Sequence, residues 1–204
     1  MLKYDQYIKE SKKLNASPMS TFISAAKNGS NSKIKELIKS GIDINIKDFD
    51  GKTALMLACT FNYLMVVYTL IDAGANVNEV DRNGQNALVF ATTSKIIDKL
   101  LESGIDVNNQ DTDGETPAMS LYYPEQLTVE ILEKFLKKGL NLDIKNHEGK
   151  NLYDIIEEKI EWLEENNGGY RLNYYKKLEK FIDDRFPQYK EEWDLKKNMN
   201  KYNL

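Results

Sequence analysis

The chain has 204 residues and a formal net charge of −4, and only three of its 28 basic residues, Arg82, Arg171 and Arg185, are arginine. Such a composition lacks the arginine-rich basic face that grips phosphate and guanine edges, so no nucleic-acid partner is expected. A single cysteine excludes an intramolecular disulfide framework and suits a reducing compartment.

The opening "MLKYDQYIKESKK" has no apolar stretch of the secretory kind, so a cytoplasmic location is expected. Within residues 1–14, Tyr4–Leu14 reads as a helical tail. Residues 15–47 then carry "SAAKNGS" and "IKELIKSGIDIN" behind a weak opening turn, as an N-terminal capping unit would. From Asp48 a frame sets in: "DFDGKTALMLA" returns as "DRNGQNALVFA" at Asp81–Ala91 and as "DTDGETPAMSL" at Asp111–Leu121. The segments also end alike, "KSGIDIN" at Asn45, "DAGANVN" at Asn78, "ESGIDVN" at Asn108 and "KKGLNLD" at Asp143.

Two glycine series test the periodicity. Gly41, Gly74, Gly104 and Gly139 are spaced 33, 30 and 35 residues apart, and Gly51, Gly84, Gly114 and Gly149 share that irregular spacing. The copies are therefore 15–47, 48–80, 81–110 and 111–145, in an array over 15–150. The first series follows apolar helical runs, where a left-handed residue ends a helix, and the second serves a tight turn. Thr53, Asn86 and Thr116 suit helix N-caps and Pro117 a first helical position.

Between Lys52 and Asp72 there is no charge, which raises a membrane span. The frame divides the run instead into helices at Ala54–Ala58 and Leu64–Ile71 with a turn around Thr60–Tyr63, and no membrane partner is expected. The third copy lacks three residues around Thr92–Ile96, so one or both of its helices should be shortened. The fourth has two extra in "SLYYPEQLTVE", where Pro124 breaks a helix or begins one. Past Gly149, residues 146–186 read as a degenerate last repeat and helical cap. Ile155, Ile156, Ile160 and Leu163 form one apolar side, and Leu172, Tyr175, Leu178 and Ile182 another. The charges at Glu157–Glu165 read as a solvated helix face, and 187–204 as a tail ordered by Trp193.

Catalytic chemistry has little to work with. One cysteine and one histidine do not make the usual four-ligand zinc cluster. Cys59 falls where a small buried residue is needed, and His147 sits on a turn. Asp48/Asp50 and Asp111/Asp113 occupy turn positions without an EF-hand pattern. No Gly-x-Gly-x-x-Gly or Gly-x₄-Gly-Lys run cradles phosphate. Neither an enzyme nor a cofactor is expected.

The frame, with "DGKTALMLA" and "DGETPAM" as its best stretches, resembles the ankyrin repeat over roughly residues 15–155. Met56, Val89 and Met119 stand where that family carries a histidine. The resemblance implies an all-α solenoid of helix–turn–helix units joined by β-turn or hairpin loops. It also implies a partner protein on the concave side of turn tips and inner helices. By frame, that side is supplied by Phe49, Asp50, Lys52 and Phe61, with Thr60, from the second copy. The third supplies Arg82, Asn83 and Gln85, with Thr93, and the fourth Asp113, Glu115, Tyr122 and Tyr123. Met19, Lys27 and Asn28 come from the first. The charge of −5 over residues 51–150 favours a neutral or basic partner surface. An inhibitor or immunity protein masking a basic toxin is one expectation, a host-directed effector or an adaptor another, with a monomer when free. A catalytic or ligand-binding role in the C-terminal helices is the remaining alternative.

Overall fold

In the computed structural model, which describes residues 17–121 and 127–201, the Asp-x-x-Gly frame folds into one recurring turn. Asp48 Oδ1 accepts the backbone N–H groups of Asp50 and Lys52, both at 3.0 Å, while Asp48 N–H donates to Lys52 O at 2.9 Å. Asp81, Asp111 and Asn146 repeat the arrangement on residues 83/85, 113/115 and 148/150. A short side-chain oxygen thus takes up two amides inside a turn that backbone bonds also close. The glycine three residues on has positive φ in every copy, +76 to +79°. The aspartates at the head of each frame are turn-formers, as their spacing suggested.

Helices follow the turns, in pairs except in the third copy. The first copy contributes α1 (Pro18–Lys27) and α2 (Asn31–Lys39), and the second α3 (Ala54–Thr60) and α4 (Leu64–Asp72). The third contributes only α5 (Ser94–Glu102), and the fourth α6 (Pro117–Leu121) and α7 (Val129–Lys137). Every second helix is nine residues long, whereas the first helices of the first two copies have ten and seven, the fourth copy's is described over Pro117–Leu121, and the third copy has none. The three-residue deletion therefore falls on one helix, which becomes a turn at 87–90. Asn86 does not cap a helix there. Its Oδ1 accepts Leu88 N–H at 3.1 Å and its Nδ2 donates to Asp106 O at 2.8 Å. Thr53 does cap, accepting Met56 N–H at 3.3 Å. The uncharged run is two short helices, and among the described residues no helix is long and apolar enough to cross a membrane.

The chain divides into two compact units, Met1–Asp106 and Val107–Leu204, a division that falls inside the third copy. In the first unit α1 packs on α3 and α2 on α4, and α4 meets α5. Their shared faces bury Phe22, Ile34, Leu55, Leu70, Ile96 and Leu100. Each such residue withdraws apolar area from water at about 25 cal/mol per Å².

Backbone-to-side-chain bonds tie successive copies. Asn45 Oδ1 accepts Asn76 N–H at 2.9 Å, and Asn78 Oδ1 accepts Asp106 N–H at 2.7 Å while its Nδ2 reaches Gly104 O at 3.2 Å. In the second unit Asn108 makes the same pair of bonds to Asn141 N–H and Gly139 O, both at 2.8 Å. The last position of this series is Asp143, which instead accepts the Tyr189 hydroxyl at 2.7 Å. Asn78→Ala should lower the stability of the first unit by about 1 kcal/mol, because the loop is exposed and water replaces part of the bonding. Urea unfolding checks this, and Asn78→Asp, which keeps the acceptor, should cost less.

The C-terminal segment holds α8 (Leu152–Glu165), α9 (Gly169–Asp183) and α10 (Pro187–Lys201). Asn151 and Asp154 form a capping box at the start of α8, at 2.9 and 3.1 Å. Two expectations are corrected here. Residues 187–201 are a helix and not a tail: Pro187 at its first position starts it, and Tyr189, 7% exposed, anchors it more than half-buried Trp193. Glu157 is not on a solvated face but 8% exposed, beside Ile156 and Ile160 of the buried side. The helical tail expected at 1–14, together with Tyr122, Tyr123 and Pro124, lies outside the described residues.

Candidate functional site

In the first unit the turn at 48–52 projects Phe49, whose ring is 86% exposed although large and apolar. It borders a groove of about 410 Å³ whose lining includes Met19, Ile23, Lys27, Asp48 and Asp50. α1 supplies the opposite wall because its apolar residues turn inward at helical spacing and leave Met19, 38% exposed, at the rim. The Lys27 ammonium sits 3.2 Å from Asp48 Oδ2. Burial pushes the Asp48 carboxyl upward. Hydrogen bonds from Lys52 N–H, Lys27 and Asp50 N–H outweigh it and hold the carboxyl below its usual range. The groove thus combines three apolar side chains, Met19, Ile23 and Phe49, with polar ones and a carboxylate paired to Lys27.

The neighbouring turn stacks on this one: Arg82 N–H donates to Asp50 O at 3.0 Å. Arg82 and Asn83 are exposed beside it, and Gln85 is half-buried. Lys52 lays its ammonium 4.3 Å from the centroid of Phe90, a cation–π contact with the residue left where the third copy's missing helix would run. Phe61, 49% exposed, caps the far end of α3 and stacks on Tyr63 at 6.1 Å. Seven residues of helix separate it from the groove, about 10 Å of axis, so the two phenylalanines do not form one cluster. Thr93 joins the same end, its hydroxyl donating to Asn62 Oδ1 at 3.0 Å.

In the second unit the turn at 111–115 leaves Asp113 exposed and Glu115 half-buried. His147 N–H donates to Asp113 O at 2.9 Å, the counterpart of the Arg82–Asp50 bond. Burial, followed by the charges of Asp111, Asp113 and Glu148, raises the Glu115 carboxyl above its usual range. A hollow of about 280 Å³ lies beyond it, and on its rim Lys150 bridges Glu148 at 3.0 Å and Glu158 at 2.7 Å. Tyr122 and Tyr123 cannot be placed with these, being outside the described residues.

Cys59 is fully buried, and burial pushes its thiol far up, away from the thiolate that nucleophilic chemistry needs. His147 is exposed on its turn. Among the described residues no group of His, Cys, Asp or Glu could hold a metal ion. Reading the frame alone missed three features here. Ile23 is part of the groove, Phe90 lies under Lys52, and the terminal asparagines bond across copies. The recurring Asn at the end of each copy was the visible signal for the last.

A recurring Asx-closed turn followed by short helices defines a helical-repeat architecture. Residues 22–111 match the family model for ankyrin repeats (3 copies). Residues 22–111 are therefore an ankyrin-repeat segment, the described residues fit an all-α ankyrin-like solenoid, and ankyrin repeats generally mediate protein–protein interaction. The turn at 146–150 and the nine-residue α7 carry the same pattern past the matched segment. No curated protein matches the chain.

Proposed function

We propose that this chain binds another protein through its turn tips, with Phe49 and the groove beside it as the main anchor. The observation that carries the reading is the pairing of an 86% exposed aromatic ring with a groove of about 410 Å³. Solvated rings of this kind gain most when a partner buries them, and aromatic anchors dominate interface energetics. Asp50 on the groove edge, with Asp113 and Glu115 on the second unit, supports a neutral or basic partner surface. Arg82, Asn83, Gln85 and Lys52 surround the anchor as polar rim, and Phe61 offers a separate apolar contact. Tyr122 and Tyr123 remain part of the proposal on frame alone.

Among the possible roles, an inhibitor or immunity protein that masks a basic toxin accords best with the acidic centre and small size. A host-directed effector or an adaptor would use the same anchor. The protein acts in the cytoplasm, as a monomer when free, without a cofactor. The test is capture from lysate of the source organism with wild type beside Phe49→Glu and Phe61→Glu, all three first matched by circular dichroism. A partner held by wild type should bind Phe49→Glu at least tenfold more weakly, the loss of a single aromatic anchor. Equal capture by both variants would remove this face from consideration.

A further inference from the structure

The last helix is attached in an unusual way. α8 and α9 pack together and bury Leu152, Ile156, Ile160, Leu163, Leu178 and Ile182. α10 buries only Tyr189 among its described side chains, and its aliphatic residues Leu195 and Met199 are 62% and 44% exposed. Its two halves are held differently. The first half has Tyr189, stacked on Tyr153 at 6.1 Å and bonded to Asp143, and Lys190, 3.1 Å from Asp183. The second half has no buried apolar residue. Lys196 meets Asp154 Oδ1 at 2.8 Å and Lys197 pairs with Glu161, both on α8. Between these helices a gap of about 500 Å³ remains, lined by Asp154, Glu158, Glu161, Trp193, Lys196 and Lys197.

We propose that residues 193–201 form an electrostatic latch, closed over the carboxylates of α8 by Lys196 and Lys197 and opened by ionic strength, while Tyr189 keeps the base of α10 docked. Two exposed ammonium groups with 44% and 61% of their side-chain surface accessible give weak, screenable attachment. About two turns of helix beyond Trp193 do not sustain themselves without it. Opening bares Asp154, Glu158 and Glu161 along one side of α8. Asp154 Oδ2 keeps its bond to Asn151 N–H, so the start of α8 survives the release.

Hydrogen exchange on the full chain tests this, read peptide by peptide. Amides of 194–201 should exchange at least about tenfold faster than those of α8 and α9, and faster again when NaCl is raised from about 0.05 M to about 1 M. Amides of 189–192 should keep their protection throughout. Lys196→Glu with Lys197→Glu should remove what protection 194–201 retains at low salt. Starting from Lys197→Glu alone, adding Glu161→Lys should restore part of it by rebuilding one pair with reversed charges. Protection of 194–201 equal to that of α9 at high salt, or unaltered by the double charge reversal, would overturn the latch.

Discussion

Gly51→Ala is expected to lower the stability of the first unit by roughly 3 kcal/mol, while Gly74→Ala costs only about 1 kcal/mol. Both glycines are left-handed, at φ +79° and +91°, so an alanine pays conformational strain at either place. They differ in what lies around them. A Cβ on Gly74 would meet nothing within 4 Å, but one on Gly51 would stand 2.8 Å from Arg82 N and 3.2 Å from Arg82 Cγ. Arg82 N is the donor to Asp50 O that stacks the third turn on the second. It cannot retreat without lengthening that bond, and it is backbone rather than the end of a flexible side chain. In a repeat array each interface contributes its own term to stability, so the excess loss belongs to the contact between these two copies. Urea unfolding of the two variants side by side gives the difference. Equal losses would mean that the turns do not approach one another as closely as the geometry requires.

That contrast also shows what the sequence conveys and what it withholds. Both glycine series announce the period and the left-handed positions, because no other residue occupies them without strain. The second helices were legible from apolar spacing, while the third copy's deletion pointed to a shortened helix where the first helix is missing altogether. Which glycine touches another copy was not legible, since spacing describes one copy and the contact joins two. The same holds for Asn78, whose side chain spans 26 residues to Gly104 O, although a recurring Asn ends each copy. α10 escaped notice for another reason. A helix that buries one tyrosine has no periodic apolar face, so residues 187–201 carry no helical signature beyond Pro187. At the candidate site, the exposure of Phe49 followed from its turn position, but the groove beside it depends on α1 and on Ile23, which reads as ordinary core.

Glu157→Gln is expected to stabilise the second unit at pH 8 by about 3 kcal/mol and to change little near pH 4.5. Glu157 lies in a charged run, yet the burial of α8 against α9 carries it inside, at 8% exposure, with no hydrogen-bond partner for its Oε1 among the described residues. Burial first, and then the negative charge of Glu179, push its carboxyl from 4.5 up to about 7, with Asp183 adding to the repulsion. A hydrogen bond with Tyr153 pulls the other way, though the Tyr153 hydroxyl proton is directed to Asp183 Oδ1 at 2.7 Å. Lys190 of α10 neutralises Asp183 and stands near enough to feel Glu157, but it is engaged at 3.1 Å by the former. Because the folded carboxyl titrates higher than the unfolded one, the neutral acid's contribution is complete below about pH 4.5. It is lost as pH rises toward and through about 7. Glutamine keeps the shape and never ionises, so its profile should be flatter over that window. Some slope should persist, since Glu115 is raised as well and acts in the same sense. Asp48 and Glu79 are lowered, and their contributions disappear only at more acidic pH, so they do not overlap this window. The chain's two tryptophans, Trp162 and Trp193, both belong to the second unit, and their fluorescence during urea unfolding reads that unit directly. Parallel profiles for wild type and Glu157→Gln between pH 4.5 and 8 would show that the carboxyl is not charged within the helical interior at neutral pH.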